Sequence, residues 1–251
     1  MDNLITISYS ILTHNETDSL DRLLDSLDKH IEEYDEIVIV DDNSTNQQTL
    51  DILEKYKSKR KNVYVYKNSL NNDFSQQKNF ANSKCNKEYI FNIDSDELLS
   101  DTMFRTIREI ISLNKEVDVY KVPRINKVSG LTLKHIEKWG WNISKLPAEV
   151  SEKELDINGE ELKLLKLYNL VLSEKDGVFT YFDPIINYPD FQYRLYKNKP
   201  EIKWVNHVHE VVLGYKTFSH LPTEKNYCLL HYKEIARQET QNNYYDTFTR
   251  K

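Results

Sequence analysis

The sequence predicts a three-layer α/β protein built on a mostly parallel sheet, and three observations predict it. Short apolar runs of strand character recur at 4–12, 36–40, 63–66 and 89–93. The stretches between them carry apolar residues at helical spacing, the alternation that builds a parallel sheet covered on both faces. Two of the runs also end abruptly in acidic residues, Asp41-Asp42 and Asp94-Ser-Asp-Glu97. Right-handed crossovers place the carboxyl ends of such strands on one rim, where open α/β sheets bind ligands.

In order, Leu4 to Leu12 is a β-rich run ending in Thr13-His14-Asn15-Glu16. A helix follows with Leu20, Leu23, Leu24, Leu27 and Ile31 on one face, spaced for burial. Glu36 to Val40 is the second strand. Ser44, Thr45 and Asn46 are all good N-caps for a second helix, with Leu50, Leu53 and Tyr56 expected inward. Val63 to Tyr66 is a third strand, and Phe74 to Cys85 a helix with Phe74, Gln77, Phe80 and Ala81 on neighbouring turns. After the Tyr89 strand, Ser100 caps a helix carrying Met103, Phe104, Ile107 and Ile111; Val117 to Val122 then closes the series at Pro123.

Beyond Pro123 the rhythm breaks. Residues 124–190 read as irregular, with antiparallel strands expected at 164–172 and 178–182. Phe191 to Tyr196 and Ile202 to Val205 read as short strands, and Ile235 to Phe248 as a polar surface helix. The expected organisation is one integrated domain with two halves, 1–123 and 124–251.

The 251 residues are 39% hydrophobic with a formal net charge of −6, a balance that disfavours nonspecific nucleic-acid binding. No apolar run reaches the roughly 18 residues of a membrane span, and no leader pattern opens the chain. A cytoplasmic protein, with peripheral membrane attachment compatible, is the expectation. Cys85 and Cys228 are two cysteines far apart, which suits buried thiols better than a zinc site or disulfide framework. The five glycines form none of the Gly-rich phosphate loops. Lys55 to Lys61 is the one basic cluster, read as a solvated helix end.

The acidic strand ends carry the chemistry. Asp94 and Asp96 are too costly to desolvate together unless protonated, hydrogen-bonded or paired with a cation. A hard divalent ion, Mn2+ or Mg2+, would resolve the repulsion and carry a diphosphate. Asp41 and Asp42 can only accept hydrogen bonds; a turn residue and a helix-end carboxylate is their plainer reading.

Together these pieces resemble the family 2 glycosyltransferases of the GT-A fold. The matching stretches are Leu12-Thr-His-Asn-Glu16, Ile37-Val-Ile-Val-Asp-Asp-Asn-Ser-Thr45, Gln77-Lys-Asn-Phe-Ala81 and Tyr89 to Glu97. Pro189-Asp-Phe-Gln-Tyr-Arg-Leu-Tyr196, Trp204-Val-Asn-His-Val-His-Glu210 and Leu230-His-Tyr-Lys233 are similar to the subset related to lipopolysaccharide-core glucosyltransferases. The resemblance implies a Rossmann-like three-layer fold with a C-terminal acceptor-side region of short strands and helices. It implies a metal-dependent, inverting transfer from a nucleotide sugar, UDP-sugar favoured, to a glycan or saccharide hydroxyl.

The resemblance implies an imide N–H or a ribose diol as the partner of Asp41 and Asp42. By resemblance, Thr13, Asn15 and Glu16 line the nucleotide or cap the next helix, and Lys78 sits near the diphosphate or ribose. Asp94 reaches the ribose or the metal, and Asp96 holds the metal. Glu97 caps the next helix or bonds within its loop. His231, then His209, would add a metal ligand, while Arg194 or Lys233 would neutralise the leaving diphosphate. Glu210 is the first choice of catalytic base and Asp190 the second, because no Glu-Asp pair follows residue 123. Trp139, Trp141 and Tyr188 are candidates for stacking on an acceptor sugar. The alternatives are transfer to a modified base in DNA, an inactive nucleotide-sugar-binding module, and a phosphohydrolase or nucleotidyltransferase.

Overall fold

Alternation of strand and helix governs the first half of the chain in a computed structural model, which describes residues 4–144, 171–175, 178–182 and 185–249. The strands are β1 (Ile7–Thr13), β2 (Glu36–Asp41), β3 (Val63–Lys67) and β4 (Tyr89–Asp94). The helices between them are α1 (Asp18–His30), α2 (Gln47–Lys59) and α3 (Phe74–Asn82). The two-residue strand β5 (Glu97–Leu98) and α4 (Asp101–Leu113) follow. Then come β6 (Val119–Ser129), α5 (Leu133–Trp139), β7 (Val171–Lys175), β8 (Val178–Phe182) and β9 (Ile185–Lys197). The chain continues through β10 (Lys203–Val205), β11 (Val211–Leu213), β12 (Phe218–His220), β13 (Leu229–Glu234) and α6 (Ile235–Thr249).

Residues 1–122 and 191–222 form one compact unit; residues 123–190 and 223–251 form a second. In the first unit the order is β3-β2-β1-β4-β9, with the first four strands parallel. Their carboxyl ends therefore share a rim, as expected. β9 departs from the expectation of a common direction: it is antiparallel to β4, Phe91 opposite Leu195. β2 is buried at every residue from Glu36 to Asp41, and the face of α1 that covers the sheet is Leu20, Leu23, Leu24 and Leu27. Burial of each such side chain contributes about 1.5–3 kcal/mol.

Several boundaries differ from the sequence reading for identifiable reasons. On α2 the buried face is Thr49, Ile52, Leu53 and Tyr56, and Leu50 is only half-buried. Asn46 is the residue that caps α2, its side chain accepting from the N–H groups of Gln48 and Thr49. α3 stops at Asn82, where turns through Ser83, Lys84 and Cys85 take over. Its buried face is Ser75, Gln77, Lys78 and Ala81, with Phe74 and Phe80 half-buried. Gln77 wins its inward place by exchanging amide hydrogen bonds with Asn68, at 2.6 and 2.7 Å. β6 does not end at Pro123. β12 pairs with residues 119–121 and β13 with 124–129, so the proline, with no N–H to give, falls between two partners.

The second unit has β13 parallel to the later half of β6, and an antiparallel hairpin of β7 and β8. The expected strand at 164–172 is described only from Val171 onward; residues 164–170 lie outside the described residues. Val128, Leu131 and Ile186 form a small core there, with Trp141 and Ile235 against it. Both cysteines are buried and free. Burial pushes the Cys85 thiol up to about 12 and the Cys228 thiol up to about 11.

Candidate active site

Three loops meet at the carboxyl ends of β1 and β2, and Asn15 ties two of them. It sits in the left-handed region (φ 54°), which asparagine tolerates. Its N–H donates to Ser44 Oγ (2.8 Å), and its Oδ1 accepts from the N–H groups of Thr45 (2.8 Å) and Asn46 (2.9 Å). Asp41 is fully buried and accepts from the Ser44 N–H (3.1 Å). Asp41, expected at the nucleotide, here fastens the loop through this backbone bond. Asp42 lies further out, accepting from the Leu70 N–H at 2.9 Å with a quarter of its side chain exposed. Glu16 accepts from Ser19 Oγ (2.7 Å), and its carbonyl accepts from Thr49 Oγ1 (2.8 Å). Thr13 Oγ1 is buried and has no hydrogen-bond partner among the described residues.

The end of β4 is built on charge. Arg194, 2% exposed, donates to Asn92 Oδ1 (3.3 Å), Glu97 Oε1 (2.6 Å) and Asp94 Oδ2. Glu97 is wholly buried, and its Oε2 accepts from the Asp94 N–H (3.0 Å), closing the loop. Ser100, not Glu97, caps α4. Two carboxylates at one strand end need a counter-charge, which Arg194 supplies from β9. The guanidinium, expected to neutralise a leaving diphosphate, is here buried against the two carboxylates. Asp94 keeps 38% of its side chain exposed, and Asp96 is half-buried.

Lys78 and Glu210 come together from α3 and the β10–β11 loop, Nζ to Oε1 at 3.2 Å, with little of either side chain exposed. The ammonium also lies 4.3 Å from the centre of the Trp204 ring. α3 grips this loop at several points. Asn79 exchanges hydrogen bonds with the Trp204 backbone (2.8 and 3.0 Å), and the Phe74 N–H donates to the His207 carbonyl (3.0 Å). His207 also lies 2.7 Å from the buried Asp73 that caps α3. Asn206 and His209 both adopt left-handed backbone, which turns the loop tightly enough to aim Glu210 back at α3. Glu210, expected as a free base, is thus paired.

In the second unit, Asp190 Oδ2 accepts from Arg124 Nε (3.0 Å), Arg124 Nη2 (2.7 Å) and Asn126 Nδ2 (2.8 Å). Three donors hold Asp190 as a structural acceptor, against its expected role as base. A carboxylate only accepts, so the Asn126 amide must turn its nitrogen to Asp190 and its oxygen to His231 Nδ1, 2.7 Å away. Nδ1 of His231 then carries the proton. Lys233 donates to Gln241 Oε1 at 2.6 Å. Among the described residues no group of three or more His, Cys, Asp or Glu gathers as around a metal, so Asp94, Asp96, His209 and His231 do not form such a cluster. Trp139 and Trp141 lie against each other, ring centres 4.7 Å apart. Tyr188 donates its hydroxyl to the Thr223 carbonyl and is partly buried against Ile125, Ile185 and Cys228. The basic run at 55–61 is tied to Asp21, Asp28 and Glu54 by ion pairs, as a solvated helix end would be.

Sequence reasoning missed Asn92, Trp204, Arg124 and Asn126 as site-builders. A polar residue inside the buried run 89–93 was the available signal for Asn92. Arg124 and Asn126, two apart on a strand, share a face.

A crystal structure of S. aureus TarS 1-349 aligns with 92% of this chain and 60% of its own, at TM-score 0.50 and 16% identity. The parallel core and acidic rim belong to an α/β fold of the GT-A class. The profile described as "Glycosyl transferase family 2" matches residues 8–160, and the chain belongs to that family. It is also similar to a poly(ribitol-phosphate) beta-glucosyltransferase of Bacillus spizizenii, 34% identical over 125 residues. That match covers 48% of this chain and 19% of the relative's length.

Proposed function

We propose that this protein transfers a sugar, with inversion, from a nucleoside-diphosphate sugar to a hydroxyl of a glycan acceptor, with uridine the favoured base and the cytoplasm the place. The observation that carries the reading is the end of β4 in a family 2 chain: Asp94 half-exposed and Asp96 beside it, above a buried Arg194. The two carboxylates fit Mg2+ or Mn2+, hard ions that complete their coordination with phosphate oxygens and water. The bound ion would stabilise negative charge on the departing nucleoside diphosphate.

The chain's own groups do the rest. Asp42 accepts from the base or ribose, and the loop fastened by Asn15, Ser44 and Asp41 fixes where that carboxylate stands. A diphosphate arriving at Lys78 competes for the ammonium now on Glu210. The freed Glu210 carboxylate then takes the proton of the attacking hydroxyl. The similarity to a poly(ribitol-phosphate) beta-glucosyltransferase favours an anionic polyol-phosphate acceptor.

A thermal-shift panel of nucleoside diphosphates and nucleotide sugars, with and without Mn2+, tests this on wild type and Asp96→Ala. The expected result is stabilisation by UDP that needs Mn2+, about 2.7 kcal/mol at a hundredfold excess over Kd, and is absent in the variant. Equal shifts in both proteins would remove Asp96 from the site.

A further inference from the structure

A chain of aromatic rings leads away from Lys78 to the surface of the first unit. It starts at the buried Trp204, which carries the Lys78 ammonium, and passes to Tyr193 at 6.4 Å between ring centres. Tyr193 neighbours Tyr215 at 6.3 Å, and Tyr215 neighbours Phe218 at 6.0 Å. Phe218 meets His220 at 5.6 Å, and His220 meets Phe191 at 4.4 Å. Phe218 is 51% exposed and His220 is also exposed, so the outer end of the row faces solvent. Lys121 stands in the middle, its ammonium 4.5 Å from the Tyr193 ring centre and 5.2 Å from that of Phe218. Among the described residues neither Lys121 nor His220 pairs with a carboxylate, whereas Lys78, Lys197 and Lys199 of the same unit each do.

We infer that this row is a binding track for an extended anionic glycan, whose sugar or polyol units lie on the rings while Lys121 takes an anionic group. Aromatic faces suit the C–H faces of sugar units, and the ring-held ammonium supplies the charge complementarity. The mixture of hydroxyls, imidazole and cation among the rings favours a hydrated polyanion over an apolar protein surface. The track assigns acceptor binding to Lys121 and residues 191–220 of the first unit. The inference deepens the proposed transfer and rests on it for the acceptor's identity, though binding itself is measurable without turnover.

The test is calorimetric titration of the full chain with a ribitol-phosphate oligomer of about ten units, against a neutral dextran oligomer of the same length. Wild type, Lys121→Glu and Phe218→Ser are compared, with thermal unfolding as the folding control and Mn2+–UDP binding measured in parallel. Expected are salt-sensitive binding of the anionic oligomer only, at least tenfold weaker in Lys121→Glu and severalfold weaker in Phe218→Ser, with UDP binding unchanged in both. Failure of UDP to bind any protein would strike the donor reading and leave the track standing. Equal oligomer affinity in all three proteins, or equal binding of dextran, would overturn the track. So would a wild-type dimer in light scattering that Phe218→Ser dissociates, or binding to anionic lipid vesicles in place of the oligomer.

Discussion

The carboxyl ends of β2 and β4 carry carboxylates at equivalent places on one rim, yet hold them by opposite means. Asp41 is wholly buried and satisfied by a backbone N–H three residues away. Glu97, equally buried, and Asp94 depend on the guanidinium of Arg194, about a hundred residues on. A backbone amide settles a charge locally and leaves nothing to solvent. A guanidinium buried under two carboxylates neutralises one and lets the other keep an open side. The first arrangement fastens a loop; the second leaves acidic oxygen facing outward at the sheet's edge.

The sharpest way to break that contrast is Arg194→Met, which keeps the volume and removes the charge. Glu97 would lose the guanidinium it is buried against, and losing one partner of a buried pair costs about 3–5 kcal/mol. Urea unfolding measures it, and Glu97→Gln in the same background should recover part of the loss. A cost within about 1 kcal/mol would mean that Glu97 finds its counter-charge elsewhere.

Asp41→Asn is the milder counterpart. An amide retains one acceptor oxygen for Ser44 while losing the charge, so a cost of about 1–2 kcal/mol is expected, the range of a hydrogen bond to a charged group. If this variant loses as much as Arg194→Met, the local and the distant modes are energetically alike and the distinction falls.

The same contrast explains what the sequence could disclose. The four parallel strands and their helices were legible because their signals are local: Ile37 to Val40 is an apolar run bounded by turn residues, and Leu20 to Leu27 keeps helical spacing. The loop joining Asn15 to Ser44 was half legible, as a cluster of capping residues whose mutual bonds cross about thirty positions. The Arg194 clamp was hidden. Arg194 was read as a phosphate cation because no one-dimensional pattern shows which carboxylate a distant arginine will meet. Asp190 and Glu210 were read as bases with no sign of the donors that hold them, Arg124 and Lys78, which stand 66 and 132 positions away. Pro123 misled in another way, since a proline between two strand partners does not end the strand.

Asp118 combines the two modes and gives the smallest expected effect. It accepts from the Lys216 N–H at 3.0 Å and from Lys199 Nζ at 2.8 Å, with Lys197 Nζ 3.2 Å away. Burial works against its ionised form, but the Lys199 ammonium, the Lys216 N–H and Lys197 together hold its carboxyl well below the usual carboxylate range. A carboxyl whose folded pKa is depressed contributes stability above its unfolded value, near 3.9, and loses it as pH falls through the folded value. Urea midpoints for wild type should therefore fall more steeply than those of Asp118→Asn once pH drops below about 4. Lys199 is substantially exposed and solvent screens its part, so the better-buried Lys197 and the backbone N–H should carry most of the difference. Lys199→Ala should accordingly leave most of the steepness in place. Parallel curves for wild type and Asp118→Asn would show that neither mode of holding this carboxylate discriminates its charged form from its neutral one.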